Sequence, residues 1–421
     1  MLANSKILVG AKMKKELDIY NYERIIVREL QGIENADICK KNKKLILEFK
    51  DYLVRDNISV PRIIKYMGTL KLIALKVGKD FDKLTKKDAE KFVSLIQGNT
   101  AFSPWTKQCY KVIFKRFFKW VKKSGDVYPE EVRWIKIKIN ENEKILPAKG
   151  DLLSEEDVKK IIDCAQIPRD KAIVSVLYET GCRIGEIASL QIKNLEFDEM
   201  GILLSVTGKT GPRKIRVIAS TQYLMNWINM HALKDDRDAP LWITLSTNNR
   251  MKFMKYAIIR KMIAGLFAKA GIKKRCNPHL FRHSRATFLA KHLTEFQMNQ
   301  YFGWKQGSDM PSTYVHLSGR DLDNAIFSVN GVGMKREAEK PKLQPAICPR
   351  CSEINAPGSK YCSKCAAMLD VQTILEHENQ QRAQQRLQDK TSQVMELLLA
   401  DEDIRKLITE KFKGVKLENS N

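Results

Sequence analysis

The chain has 421 residues and a formal net charge of +25 at pH 7, from 74 basic and 49 acidic side chains. That length predicts two or three domains, and 43% hydrophobic with 8% aromatic residues excludes a disordered chain. The charge favours a polyanionic partner, nucleic acid before an anionic membrane surface, and excludes an acidic-tail protein. No stretch approaches about 18 uncharged apolar residues, and the N-terminus lacks the apolar core of a signal peptide. We therefore expect no membrane span and no membrane partner.

The N-terminal third is predicted to be helical. Residues 1–17 form a basic stretch that we interpret as a flexible arm. Between 18 and 140, apolar residues recur at three- and four-residue spacing, which is typical of amphipathic helices. Ser103 followed by Pro104 is a helix start, because serine caps the first turn and proline fits the first helical position. We predict a helical core-binding domain, acting as a DNA clamp, over 18–140.

The helix that begins there carries a stripe of lysines. No acidic residue occurs between Glu90 and Asp126, so this helix is purely basic. The stripe has two interpretations, the solvated face of an amphipathic core helix or a surface that contacts DNA phosphates. On the second interpretation, the predicted DNA-binding residues are Lys107, Lys111, Lys115 and Lys119.

A polar segment at 140–151 reads as a linker to a second unit at 150–330. Helical patterns resume near Ser154 and then change to strand character over 195–218, with turns at 198–201 and 208–214. Helices return until about 329. This order predicts a mainly α fold, with an α+β catalytic domain built around a small antiparallel sheet. Residues 201–294 carry 18 basic and three acidic side chains, so this unit too is predicted to face phosphates.

Several polar residues in this second unit have a meaningful order. Asn277 and Pro278 start a helix, which places His279 and Arg282 on one face of its first turns, where they can hold a phosphate. Arg183 lies at the N-terminus of an earlier predicted helix. Glu186, one turn on, either orients Arg183 or is a surface acid. Taken alone, an Arg-x-x-Glu or a His-x-x-Arg pair is more often a surface pair than part of a site. The prediction of a shared site rests on the order and spacing of these residues along the chain.

Four segments together resemble the tyrosine recombinases of the phage-integrase family. TGCRIGEIASL (180–190) is similar to that family's first arginine box, and VTGKTGPRKIRVI (206–218) to its lysine-bearing hairpin. HLFRHSRATFLA (279–290) resembles its His-x-x-Arg box. FGWKQGSDMPSTYVHLS (302–318) resembles its closing box. The resemblance covers roughly 18–330 if the helical N-terminal half is the family's core-binding domain.

The resemblance implies metal-independent phosphoryl transfer on DNA, with no cofactor for catalysis. Tyr314 would attack a scissile phosphate and form a 3′-phosphotyrosyl link, releasing a 5′-hydroxyl. Arg183 and Arg282 would hold the non-bridging oxygens. Lys209 would protonate the leaving oxygen, and His279 would assist proton transfer at the tyrosine. Fixed guanidinium groups suit the charge that develops on the transferring phosphate.

The sequence departs from the family pattern in places. Trp304 stands where many members have histidine, which implies a packing and positioning role. Tyr314 follows it by ten residues, one more than expected for bacterial members. Lys214 is a second candidate for the general acid, and we favour Lys209. The further histidines His283 and His316 are predicted to be structural or to support the site indirectly.

Four of the nine cysteines form two CxxC pairs separated by ten residues. Two such knuckles can close four thiolates around one tetrahedral zinc ion. We predict one structural zinc in a ribbon over 345–368; iron in a rubredoxin-like site and a disulfide pair are the alternatives. A ribbon behind such a catalytic domain resembles archaeal members. The predicted ligands are Cys348, Cys351, Cys362 and Cys365.

The other five cysteines are predicted to be thiols without a role: Cys39, Cys109, Cys164, Cys182 and Cys276. This cysteine usage is typical of a reducing, cytoplasmic setting, where we expect a nucleoid-associated protein.

Our leading hypothesis is an enzyme, a site-specific recombinase or integrase that acts on double-stranded DNA. The alternatives are a catalytically inactive DNA-binding regulator and a type IB topoisomerase-like enzyme. The family resemblance implies a tetramer on two DNA sites, with a dimer on each. The tail at 369–421 is predicted to be helical, and its apolar cluster near Leu397 to dock on another subunit or on the catalytic domain.

Overall fold

The structure, a computed structural model, describes residues 18–140, 149–247, 250–318, 330, 343–400 and 406, with the backbone alone at 316–318, 371–378 and 399. The predicted arm at 1–17 and most of the linker lie outside the described residues. So do the end of the tail and the side chain of His316.

The N-terminal unit is helical, as its sequence predicts. Its helices are α1 (Tyr22–Glu34), α2 (Lys40–Arg55), α3 (Val60–Val77), α4 (Lys86–Gly98), α5 (Pro104–Val121) and α6 (Glu130–Arg133). The predicted start of α5 is correct, because the Ser103 side chain accepts a hydrogen bond from the Thr106 amide. Aromatic rings fill the core: Phe117 packs edge-on against Phe49 and Phe81, with ring centroids 5.1 Å and 4.8 Å away.

The second unit surrounds a three-stranded antiparallel sheet. Its elements are α7 (Glu155–Cys164), α8 (Pro168–Thr180), α9 (Ile184–Ala188), β1 (Leu195–Asp198), β2 (Gly201–Gly208), β3 (Gly211–Val217), α10 (Thr221–Asn229), α11 (Tyr256–Lys269), α12 (Pro278–Leu289), α13 (Glu295–Phe302) and α14 (Met310–Ser318). The strands follow one another in the order β1-β2-β3, and Gly208 pairs with Gly211 across the β2–β3 turn. The predicted switch from helix to strand and back is therefore confirmed.

Two buried polar arrangements fix this unit. The Trp242 indole donates to the Ile187 carbonyl at 2.7 Å, which ties α9 to the loop before α11. The Glu179 carboxylate accepts three consecutive amides, Ile218, Ala219 and Ser220, at 2.7–2.9 Å. Because α8 ends at Thr180, this carboxylate anchors the end of β3 to the end of α8, beside the first arginine box.

The boundary between the two units differs from the prediction. Ile19 is buried in the core of the second unit, and its carbonyl accepts the Tyr256 amide at 2.8 Å. A Cβ added at Gly185 would lie 3.0 Å from the Tyr20 hydroxyl. The start of the predicted core-binding domain therefore packs on the catalytic unit, because apolar residues at the N-terminal side of α1 find their partners there.

The C-terminal part contains the two-stranded pair β4 (Ala346–Ile347) and β5 (Ile354–Asn355), followed by a long helix, α15 (Val371–Ala400). The pair rests on α10, where the Gln222 side chain accepts hydrogen bonds from the Ala356 amide and the Ser359 hydroxyl. The predicted fold class, mainly helical with small antiparallel sheets, is confirmed. In the described part of the chain, no helix is long and apolar enough to cross a bilayer.

Candidate active site and metal centre

The first guanidinium of the site, Arg282, is held by backbone carbonyls. It lies in the second turn of α12, is 6% exposed, and donates to the carbonyls of Gly181 at 3.1 Å and Phe302 at 2.7 Å. Burial, reinforced by the charge of Arg183, lowers the pKa of Arg282 to about 10, so the group stays cationic at neutral pH. Gly181 has a φ of 57°, and a Cβ there would meet the Phe302 ring at 2.7 Å. Only glycine therefore allows this carbonyl to approach Arg282.

The second guanidinium, Arg183, is oriented by a buried carboxylate. Glu186 is 4% exposed and accepts from both the amide and the Nη1 of Arg183 at 3.0 Å. The same carboxylate accepts a two-pronged contact from Arg213 of β3, at 2.8 Å and 3.3 Å. Burial opposes ionisation of Glu186, but the bonds from Arg213 outweigh it, and the pKa of Glu186 is lowered. Glu186 thus orients Arg183, one of the two interpretations that the sequence left open.

Arg213 also joins the hairpin to the closing box. Its Nε donates to the Tyr301 carbonyl at 2.9 Å, and the neighbouring Thr210 hydroxyl donates to the Gly303 carbonyl at 3.1 Å. The hairpin tip is therefore fixed beside Trp304. Lys209 sits at this tip with an exposed side chain. Within the described residues no hydrogen bond or ion pair to Lys209 is found, which leaves its ammonium group available to a ligand.

The other candidate acid, Lys214, is already paired. Its Nζ contacts both carboxylate oxygens of Glu196 at 2.9 Å and 2.7 Å, on the exposed face of the sheet. This placement favours Lys209 over Lys214.

The tyrosine of the closing box is buried against the tryptophan. Tyr314 is 2% exposed, and its ring lies parallel to Trp304, with a centroid separation of 5.5 Å and an angle of 4°. The Arg282 guanidinium lies 5.3 Å from the same Trp304 ring. The phenol oxygen of Tyr314 is 2.8 Å from Nδ1 of His283. Burial raises the pKa of Tyr314, and the charge of Arg282 acts against that rise.

His279 lies near the arginines. Its backbone amide is capped by the Asn277 side chain at 3.0 Å, as predicted for this helix start. Burial, then the charges of Arg282 and Arg183, lowers the pKa of His279, so the imidazole is neutral at pH 7. In the described part of the chain, the Tyr314 phenol is hydrogen-bonded to His283, and no hydrogen bond joins it to His279.

With this geometry, residues 151–320 match the protein-family model described as the phage integrase family. These residues belong to the phage integrase family. The tyrosine recombinase XerA of Pyrococcus horikoshii is 24% identical over 303 residues, 71% of this chain and 96% of that protein. The XerA of Pyrococcus furiosus is 30% identical over 193 residues, 45% of this chain and 65% of that protein.

Solved structures support the fold. A XerH site-specific recombinase in a post-cleavage complex with palindromic difH substrate has a TM-score of 0.52 at 16% identity, covering 75% of this chain and 98% of that one. A lambda integrase dimer bound to a COC′ core site has a TM-score of 0.51 at 16% identity, covering 76% and 86%. The predictions of a tyrosine recombinase fold, and of an enzyme that breaks and rejoins DNA strands, are confirmed. The alternative of an inactive regulator is not favoured.

Sequence reasoning missed two residues of this recombinase site. Arg213 was not singled out, and His283 was predicted to be structural or to support the site only indirectly. The signal for His283 was its place next to Arg282 on α12, since successive helical residues point about 100° apart and can serve two neighbours. Arg213 had no such signal, because its partner Glu186 is 27 residues away in sequence.

The lysine stripe of α5 is only partly as expected. Lys115 is 7% exposed and donates to the carbonyls of Arg133 and Ile135 at 3.2 Å and 3.0 Å. This corrects the expectation that Lys115 faces phosphates, because its ammonium group instead satisfies carbonyls after α6. The other three lysines are half-buried, and each donates to a main-chain carbonyl.

The four predicted zinc ligands converge. Their sulfur atoms all lie within 4.8 Å of one another. Cys348 is 3.6 Å from Cys365, and Cys351 is 3.6 Å from Cys362. Zinc–sulfur bonds of about 2.3 Å in a tetrahedron place sulfurs about 3.8 Å apart, so the cluster has the size of a metal site. None of the nine cysteines forms a disulfide in this structure, and the convergence of four sulfurs favours a metal site over a disulfide pair.

The two knuckles repeat one backbone pattern. Each CxxC is followed by a residue with a left-handed backbone, Ser352 at φ 59° and Ala366 at φ 56°. Each of these residues donates its amide to the carbonyl of the first cysteine of its knuckle at 2.9 Å. The buried Asn355 side chain lies between them and donates to Cys362 Sγ at 3.7 Å. Such outer contacts hold the sulfurs in place for a metal.

Proposed function

We propose that this chain is a site-specific recombinase that cuts and rejoins duplex DNA through a bond between Tyr314 and a 3′-phosphate. The observation that carries this proposal is the stack of Tyr314 on Trp304, with the guanidinium of Arg282 5.3 Å from the same ring. A phenol, a rigid platform and a buried cation beside one another are what phosphoryl transfer to a tyrosine requires.

In this mechanism the arginines hold the scissile phosphate. Arg282 is fixed by two carbonyls and Arg183 by Glu186, so neither has to reorganise as charge develops on the phosphate oxygens. His279 adds a neutral donor to the same phosphate, in place of the contact with the tyrosine that the resemblance implied. Lys209 protonates the leaving 5′-oxygen from the hairpin tip, and Trp304 positions the nucleophile.

Several further roles belong to the same proposal. The N-terminal helices at 18–140 grip the DNA, with Lys107, Lys111 and Lys119 as contacts to its backbone. The chain assembles as a dimer on each site and a tetramer on two. A lambda integrase tetramer bound to a Holliday junction, with a TM-score of 0.50, supports that arrangement. We place the protein in the cytoplasm on the nucleoid, in keeping with a cysteine usage that is typical of a reducing compartment.

The cysteine cluster would hold one structural zinc ion, with the ribbon at 345–368 built around it. Four thiolates favour zinc over harder ions, and a closed site of this kind supplies folding energy without taking part in catalysis. The helical tail at 369–421 would dock on a neighbouring subunit. Leu387 and Leu397 are 66% and 74% exposed on α15, so their apolar side chains lack a partner within the described chain.

Covalent capture of DNA tests the proposed function. The full chain is incubated with fragmented genomic DNA of its own source, denatured with detergent, and recovered with any attached strand. Sequencing of that strand should return one site, joined through its 3′-phosphate. Tyr314→Phe should bind DNA and capture none. Adducts spread over all sequences would favour the topoisomerase-like alternative, and an adduct with Tyr314→Phe would overturn the choice of nucleophile.

A further inference from the structure

We infer that His283 is the general base of strand cleavage, taking the phenolic proton of Tyr314 when a scissile phosphate is bound. This inference rests on the proposed function. Among the described residues, His283 Nδ1 is the hydrogen-bond partner of the phenol, at 2.8 Å, and the ring centroids are 5.9 Å apart. A base within hydrogen-bond distance of the proton is the first geometric requirement of such a role.

The protonation state of His283 fits a base. Burial, then the charges of His279 and Arg282, lowers the pKa of His283, so the ring is neutral at pH 7. A phenol that donates to Nδ1 needs the lone pair there, which places the ring proton on Nε2. The titratable groups facing the imidazole are His279 and Arg282 on α12 and Tyr314 on α14. A neutral imidazole facing a protonated phenol is the correct starting state for proton transfer.

The surrounding charge explains why the base acts only with DNA present. Without a phosphate, a proton on His283 would add a cation beside Arg282, which is unfavourable. A bound phosphodiester brings a negative charge between Arg183 and Arg282 and removes the penalty. The scissile phosphate therefore raises the basicity of His283 toward that of the phenol. His283 and Arg282 are neighbours on α12, so a phenol that moves toward the phosphate stays beside its base.

Strand cleavage exchanges one phosphoester bond for another and moves two protons. The Tyr314 oxygen forms a bond to phosphorus while the bond from phosphorus to the 5′-oxygen breaks. The phenolic proton passes to His283 Nδ1, and the leaving 5′-oxygen takes a proton from Lys209. Rejoining reverses both transfers, so His283 returns its proton to the phenol. Two separate groups thus carry the two protons, and each can be tested independently of the other.

A sulfur substitution at the leaving group separates the two roles. The probe is a duplex that carries the site recovered by adduct sequencing, with either oxygen or sulfur at the 5′-bridging position. A thiolate leaves without protonation, so the sulfur substrate should restore cleavage by Lys209→Ala. The sulfur substrate should not restore cleavage by His283→Ala or His283→Asn. We expect both variants to cleave either substrate about 10²–10⁴-fold more slowly than the wild type at pH 7. DNA affinity in a mobility-shift assay should stay unchanged.

The pH profile gives a readout that a merely structural role would not move. Cleavage by His283→Ala should rise about tenfold per pH unit above neutrality, while the wild-type rate reaches a plateau. His292→Ala, an exposed histidine just beyond the same helix, is the matched control and should behave as wild type. Faster or unchanged cleavage by His283→Ala, or its rescue by sulfur, would overturn the inference and leave the proposed function standing. If the wild-type chain forms no Tyr314-dependent adduct, both fall.

Discussion

Replacing Arg213 by methionine should destabilise the catalytic unit, because it removes the two-pronged partner of a buried carboxylate. The guanidinium is 10% exposed in its side chain, Glu186 is 4% exposed, and the contact between them is two-pronged. Removing one partner of a buried ion pair costs about 3–5 kcal/mol, because the other charge is left behind. Because the side chain and the amide of Arg183 still donate to Glu186, we expect a loss at the low end of this range, about 3 kcal/mol. The orphaned Tyr301 carbonyl adds about 1 kcal/mol.

Urea unfolding of the full chain, followed by tryptophan fluorescence, measures this cost. The matched control is Arg216→Met on the same strand, whose ion pair with Asp198 is exposed at 34% and 41% and should contribute under about 1 kcal/mol. In a double-mutant cycle, Arg213→Met combined with Glu186→Gln should cost about 2 kcal/mol less than the two single changes together. If both arginine variants lose the same free energy of unfolding, or if the effects in the cycle are simply additive, the ion pair between Arg213 and Glu186 does not stabilise the fold as argued.

The same variant has a pH signature. In the wild type the pKa of Glu186 is lowered, so the pair stabilises the fold above the unfolded pKa of a glutamate, and this stability is lost as pH falls through the folded pKa. Without Arg213, burial dominates and the pKa of Glu186 rises. The destabilisation at pH 7 should therefore shrink as the solution is acidified, because a protonated Glu186 tolerates burial.

Three further predictions concern the parts of the chain around the catalytic unit. Lys111→Ala should reduce the salt dependence of DNA affinity by about one unit of slope, while Lys115→Ala should leave that slope unchanged and cost about 1–3 kcal/mol of stability; equal slopes for Lys111→Ala and wild type would exclude the phosphate contact. Elemental analysis should find one zinc per chain, lost in Cys362→Ser together with protease resistance of the ribbon; iron, or no metal, would contradict zinc. Truncation after Asp370 should keep cleavage of single sites but remove two-site complexes on native gels, and unchanged complexes would assign α15 another role.

Much of the site follows from local sequence signals. Arg282 was located because Asn277 and Pro278 start a helix, and Lys209 because it lies in the predicted turn at 208–214. Each of these signals lies within a few residues of the group that it positions. The capping and turn residues therefore predicted which side chains lie at helix N-termini and hairpin tips. The order of the four family-like segments predicted that these side chains lie close together.

The rest depends on packing between distant segments. Lys115 lies on the expected stripe of α5, but the carbonyls of Arg133 and Ile135 fold over it, and helical periodicity contains no information on that approach. The phenol of Tyr314 meets His283 across 31 residues of sequence. Ile19 joins a core that begins more than a hundred residues later, which no linker signal indicates. In each case tertiary packing brings together residues that are far apart in the sequence.

The attachment of Ile19 and Tyr20 to the catalytic unit changes what movements are open to the N-terminal helices. A module held by one linker can swivel about any axis through it. Here the segment before α1 is fixed to the catalytic unit, because the Ile19 carbonyl accepts the Tyr256 amide and the Tyr20 hydroxyl lies against Gly185. Any movement of the N-terminal helices relative to the catalytic unit therefore has to begin after Tyr20. When a duplex is loaded, Ile19 and Tyr20 stay with the catalytic unit while the helices that follow them change position.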